Sequence, residues 1–145
     1  MKFISVLAAL MLCASTASAD AKIRLTVIVE GAEANNGQIM ATLFDSEESY
    51  MREPAAEHTK VVNENGVAAI EFEGLAAGEY AVSVVYDKNS NGKLDTGFLG
   101  IPKEKIGFSN NAKPKLGPAP YDKASFALSH EASTISIFLD RAKRD

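Results

Sequence analysis

Ile23, Leu25, Val27 and Val29 alternate with Arg24, Thr26, Ile28 and Glu30. Side chains that alternate sides in this way belong to an extended chain, since a helix would scatter them around its axis. Comparable short β-rich runs return at residues 38–44, 59–62, 67–72, 80–86, 125–128 and 134–139. Turn residues stand between them, among them Asn36-Gly37, Asn63-Glu64-Asn65-Gly66 and Gly74 to Gly78. No long helical period interrupts the series. Asp45 can cap only a short helical turn, which Pro54 ends. About seven short strands with regular turns predict an all-β chain, an antiparallel β-sandwich. The second run is expected to pair back on the first, and residues 63–66 read as a hairpin loop. Tyr80, Val82 and Val84 share one face, with Tyr80 filling the core and its hydroxyl at the rim.

The N-terminus reads differently. Lys2 precedes an apolar run from Phe3 to Leu12, and Ala17-Ser18-Ala19 is a small-x-small cleavage site. Residues 1–19 are therefore expected to be a signal peptide, leaving a single domain at residues 20–145 in the periplasm or outside the cell. The run is too short to span a bilayer, and no later stretch reaches the ~20 apolar residues required. Cleavage removes Cys13, the single cysteine, so the mature core must hold without disulfides. It also removes Lys2, taking the formal charge from −4 to −5. A mildly acidic chain without a basic patch argues against nucleic acid as a partner.

Residues 87–122 form a long loop that contains Gly92, Gly97, Gly100, Gly107 and Gly117 with Pro102, Pro114, Pro118 and Pro120. Loops of this length are usually functional or disordered. Phe98, Leu99, Ile101, Ile106, Phe108, Leu116 and Tyr121 offer enough apolar anchors to pin it on the sandwich. Ordering it costs roughly 1–2 kcal/mol per residue in backbone entropy, so a fixed origin would help. One is available. Asp87, Asn89 and Asn91 place oxygens at every second position, Gly92 follows, and Asp95 comes next. Ca²⁺ takes six to eight oxygens at roughly 2.3–2.6 Å, and a coiled loop aims alternate side chains at it. The Lys93 carbonyl would serve at the seventh position, with Gly92 allowing a turn that a Cβ would obstruct. At the twelfth position, where an EF-hand has a bidentate Glu, stands Phe98. Glu104 is the candidate substitute ligand. The same residue types also build hydrogen-bonded Asx turns, and that alternative stands beside the calcium reading.

Gly78-Glu79-Tyr80-Ala81-Val82, the run from Asp87 to Asp95, Phe98-Leu99-Gly100-Ile101-Pro102-Lys103-Glu104, Gly107-Phe108-Ser109-Asn110-Asn111 and Gly117-Pro118 together closely resemble the DUF2141 family. Its members are exported bacterial proteins of uncharacterised function, so the resemblance implies a small exported β domain and brings no catalytic residues. The corner Leu75-x-x-Gly78-x-Tyr80 is similar to prealbumin-like and carboxypeptidase-regulatory-like sandwiches, and the sandwich pattern resembles immunoglobulin-like domains, an analogy of fold alone.

A catalytic constellation is not evident. His58 and His130 stand near strand ends without ligand-spaced partners, and G-x-S-x-G and H-E-x-x-H are absent. The sequence favours a non-enzymatic module that binds Ca²⁺ and presents its loop, through Glu104, Ser109, Asn110 and Asn111, to an envelope glycan, peptide or protein. The alternatives are a metal-assisted envelope hydrolase built around Glu104 and a purely structural or assembly domain.

Overall fold

The computed structural model describes residues 22–141. The expected signal peptide and residues 142–145 of the charged tail lie outside that range. Within it are eight strands: β1 (Ile23–Glu30), β2 (Gln38–Phe44), β3 (Ala56–Val61), β4 (Ala68–Leu75), β5 (Gly78–Asp87), β6 (Ile106–Phe108), β7 (Phe126–Leu128) and β8 (Ala132–Phe138). They form one sheet in the order β4-β1-β8 and another in the order β3-β2-β5-β6, with β7 pairing on β5. Among the described residues the single α-helix, α1, is only Tyr121–Ala124.

The alternation has its physical consequence in the core. Ile23, Leu25, Val27 and Val29 of β1 are buried, as are Ala68, Ile70 and Phe72 of β4. They meet Ile39, Ala41 and Leu43 of β2 and Tyr80, Val82, Val84 and Tyr86 of β5. Two inner faces interdigitating in this way make a β-sandwich. Tyr80 is buried, and its hydroxyl donates to the Ala76 carbonyl at 2.8 Å.

Strand pairing departs from the sequence expectation in three places. β2 pairs with β3 and β5, not with β1. Both β1 and β2 must bury their apolar faces in the same core, and the connection of several residues lets the chain cross between sheets instead of folding flat. Residues 62–67 cross in the same way, so they are not a hairpin loop. Val62 is buried, and the Asn63 side chain accepts from the N–H groups of Asn65 and Val67. Third, β8 runs parallel to β1, from Arg24 opposite Ala132 to Glu30 opposite Phe138.

The long loop is more structured than its composition suggests. β6 lies inside it, antiparallel to Ser83–Val85 of β5. Asp140 and Ile106 exchange backbone hydrogen bonds at 2.8 and 2.9 Å, tying the two sheets together on that side. A second apolar cluster of Ala81, Ile106, Phe108, Ala119 and Ala124 sits there, with Tyr50 and Tyr121 packed against it. Burial pushes the Tyr50 hydroxyl up to about 12, and that hydroxyl donates to the Ala119 carbonyl. Of the expected anchors, Ile106 and Phe108 are buried, while Ile101 and Tyr121 are partly so. Phe98, Leu99 and Leu116 are exposed and pin nothing.

Candidate cation loop

Asp87 ends β5 opposite Gln38, the first residue of β2. It is fully buried. The Gln38 side-chain amide donates to Oδ2 at 2.8 Å, and the Gly92 N–H donates to the same oxygen at 2.8 Å. The Asn91 N–H donates to Oδ1 at 3.1 Å. Burial alone would raise this carboxyl, but the Gln38 amide and the N–H groups of Gly92, Asn91 and Ser90 outweigh it and hold the pKa below the usual carboxylate range. Gly37 makes the close packing possible. A Cβ there would lie 2.7 Å from the Asp87 carbonyl oxygen, and its φ is +72°.

The remaining loop residues hold one another. Asn89 Nδ2 donates to Asp95 Oδ2 at 2.8 Å, and Asn91 Nδ2 donates to Asp95 Oδ1 at 3.0 Å. Their Oδ1 atoms accept from the N–H groups two residues on, Asn91 at 3.3 Å and Lys93 at 2.9 Å, which are Asx turns. Gly92 is required for a reason other than the expected obstruction. A Cβ there would meet nothing within 4 Å, but φ is +75°, a left-handed conformation that favours glycine.

After Asp95 the chain makes a finger. Thr96 bridges Pro102, the Gly97 N–H donates to the Ile101 carbonyl at 2.7 Å, and the Lys103 N–H donates to the Asp95 carbonyl at 2.9 Å. The return stroke brings Glu104 back to the loop, where its Oε2 accepts from the Asp95 N–H at 3.1 Å. Burial, and then the charges of Asp95 and Asp87, push the Glu104 carboxyl up. Lys88 is committed to Glu33 at 2.7 Å, and Lys105 to the Gly31 carbonyl at 2.8 Å. Among the described residues no Lys or Arg forms an ion pair with Asp87, Asp95 or Glu104. Nor do three His, Cys, Asp or Glu side chains there group as a metal cluster, so a cation would draw on amide and backbone oxygens as well.

The other candidates part company. Ser109 is not exposed. It is fully buried, accepts from the Val82 N–H at 2.9 Å and donates to the Ala124 carbonyl. Its hydroxyl replaces a missing ladder partner of β5, a structural task. Asn110 and Asn111 are exposed but engaged. Asn110 donates to the Lys123 and Ser125 carbonyls, and Asn111 Oδ1 accepts from the Phe138 N–H on β8. A groove of about 240 Å³ runs beside Asn111, lined also by Gly107, Lys113, Phe138 and Asp140, but not by Glu104. His58 lies within β3 with its ring 4.9 Å from that of Phe72; His130 is exposed. Gln38 and Gly37 escaped sequence reasoning because their roles depend on the β2–β5 register.

A model of bacterial proteins described as "Uncharacterized protein conserved in bacteria (DUF2141)" matches residues 27–136. The chain belongs to the DUF2141 family. No curated protein and no solved structure matches it. The family match takes in the candidate cation loop, the finger and Ser109 to Asn111, so these segments lie inside the DUF2141 domain.

Proposed function

We propose that this DUF2141 protein is an exported, non-enzymatic binding module whose loop takes up Ca²⁺ to fix the long segment that follows β5. The observation that supports this reading is electrostatic. Burial is the main cause that raises the Glu104 carboxyl, the charges of Asp95 and Asp87 add to it, and among the described residues no Lys or Arg forms an ion pair with any of the three. Like charges held together without a counter-charge are relieved by a divalent cation. The ligands would be Asp87, Asn89, Asn91, the Lys93 carbonyl, Asp95 and Glu104, after the two Asn amides rotate their oxygens inward. With Phe98 in the place of a bidentate Glu, affinity falls in the ~10⁻⁴–10⁻³ M range of extracellular modules. Mg²⁺ competes poorly, since it needs a tighter octahedral shell.

A hydrogen-bonded turn is the second reading. What favours it is that the Asn89 and Asn91 amides already donate to Asp95, so the network closes on itself. Calorimetric titration separates the two. The calcium reading expects millimolar binding heat that is weakened by Glu104→Gln. Absence of heat establishes the turn. Export is tested apart, by the intact mass of material recovered from the cell envelope: cleavage after Ala19 is expected.

A further inference from the structure

The finger at residues 96–102 breaks two local rules at one place. Leu99 has φ +59°, a left-handed conformation in which Gly or Asn would be relaxed and Leu is not. Phe98 and Leu99 are each 81% exposed, where a polar turn residue would cost nothing. Local inconsistencies without a packing gain mark functional positions. The finger is nevertheless built to hold this shape. Beyond the bonds at its base, the Gly100 N–H donates to the Gly97 carbonyl at 3.2 Å, and the Ile101 N–H to the Phe98 carbonyl at 3.4 Å.

Its surroundings say what it meets. Lys93 and Lys103, which precede and follow the finger in the chain, are exposed, whereas Asp87 is buried and Asp95 and Glu104 are partly buried. The Lys103 stem runs along the finger, its Cε 3.4 Å from where a Cβ on Gly97 would stand. A lysine whose stem lies along the chain in this way extends its ammonium toward a polar boundary. Two apolar tips are also far too little for a stable protein interface, which needs about 800 Å² from each partner. They suit shallow insertion at a bilayer surface, where a few apolar side chains and basic residues act together.

We propose that Phe98 and Leu99 insert into the interface of an anionic bilayer, with Lys93 and Lys103 on the headgroups. This deepens the binding-module reading by naming the partner, and it does not rest on calcium.

Co-sedimentation of the protein with vesicles of phosphatidylcholine and phosphatidylglycerol in equal parts tests it, with pure phosphatidylcholine as control. The wild type is expected to bind the anionic vesicles and to lose that binding as salt rises. Phe98→Ser with Leu99→Asn should weaken it on the order of tenfold or more. Asn tolerates the left-handed backbone, so an unchanged melting temperature certifies that this variant is folded. Lys93→Glu with Lys103→Glu should weaken binding and flatten its salt dependence. Each arm is run in chelator and in millimolar calcium. Binding in chelator that calcium does not increase supports the finger while counting against the cation loop. The proposal is overturned if the wild type fails to sediment in both conditions, or if the apolar variant binds as well as wild type. It is also overturned if the two vesicle types bind equally, or if the wild type self-associates without lipid through the same residues.

Discussion

Asp87 and Glu104 are two carboxylates of one loop that titrate in opposite directions. Asp87 is depressed in the folded chain. Its contribution to stability is therefore complete above the ordinary carboxylate value and is lost as pH falls through the lower folded value. Glu104 is raised, so once ionised it costs stability, and that cost disappears as pH drops below its ordinary value of 4.5. Two predictions belong here. Asp87→Ala should lower stability on the order of 2–4 kcal/mol in urea denaturation, because it strips a buried charged acceptor from Gln38, Asn91 and Gly92. The residue closes β5 onto β2 through Gln38, so its loss reaches the sheet. Glu104→Gln should make the calcium-free protein more stable at neutral pH and indistinguishable from wild type in mild acid; a loss of stability at neutral pH would contradict the electrostatic account. The alternating oxygens of Asp87, Asn89 and Asn91 were legible in the sequence. That Asp87 faces Gln38 was not, because register is a product of tertiary pairing.

At the level of elements, the runs of alternating residues announced the strands, yet partner choice followed the core. Asn36-Gly37 is a strong turn pair, but φ +72° at Gly37 serves a close approach to Asp87 and not a hairpin from β1 to β2. β6 was hidden because three residues, Ile106, Gly107 and Phe108, carry too little period to be seen. Its glycine has a reason in packing: a Cβ at Gly107 would lie 2.6 Å from the Ile137 side chain. Ser109 read as an exposed candidate because Ser, Asn and Asn in a Gly- and Pro-rich stretch look like a binding surface. The structure uses all three to tie α1, β5 and β8 together. Ser109→Ala should accordingly cost about 1–3 kcal/mol, since it orphans a buried N–H on Val82. Amide hydrogen exchange should show the loss of protection concentrated at Val82 and residues 106–112. Unchanged protection there would show that Ser109 is dispensable.

For the whole molecule, a sandwich core supports an annexe of two unequal halves. Residues 106–124 are held by their own apolar cluster around Ile106 and Phe108. Residues 88–104 have no comparable core and depend on polar contacts with the end of β5. Limited proteolysis should therefore nick residues 96–102 before residues 106–112, with calcium slowing the cut. The most direct test of the cation loop is the thermal melt of the wild type and Glu104→Gln with and without calcium. At ten times the dissociation constant, binding adds about 1.4 kcal/mol, which is a rise of roughly 3–8 °C for a domain of this size. The wild type should rise by that amount and Glu104→Gln by much less; a wild-type melt that millimolar calcium leaves in place contradicts the account.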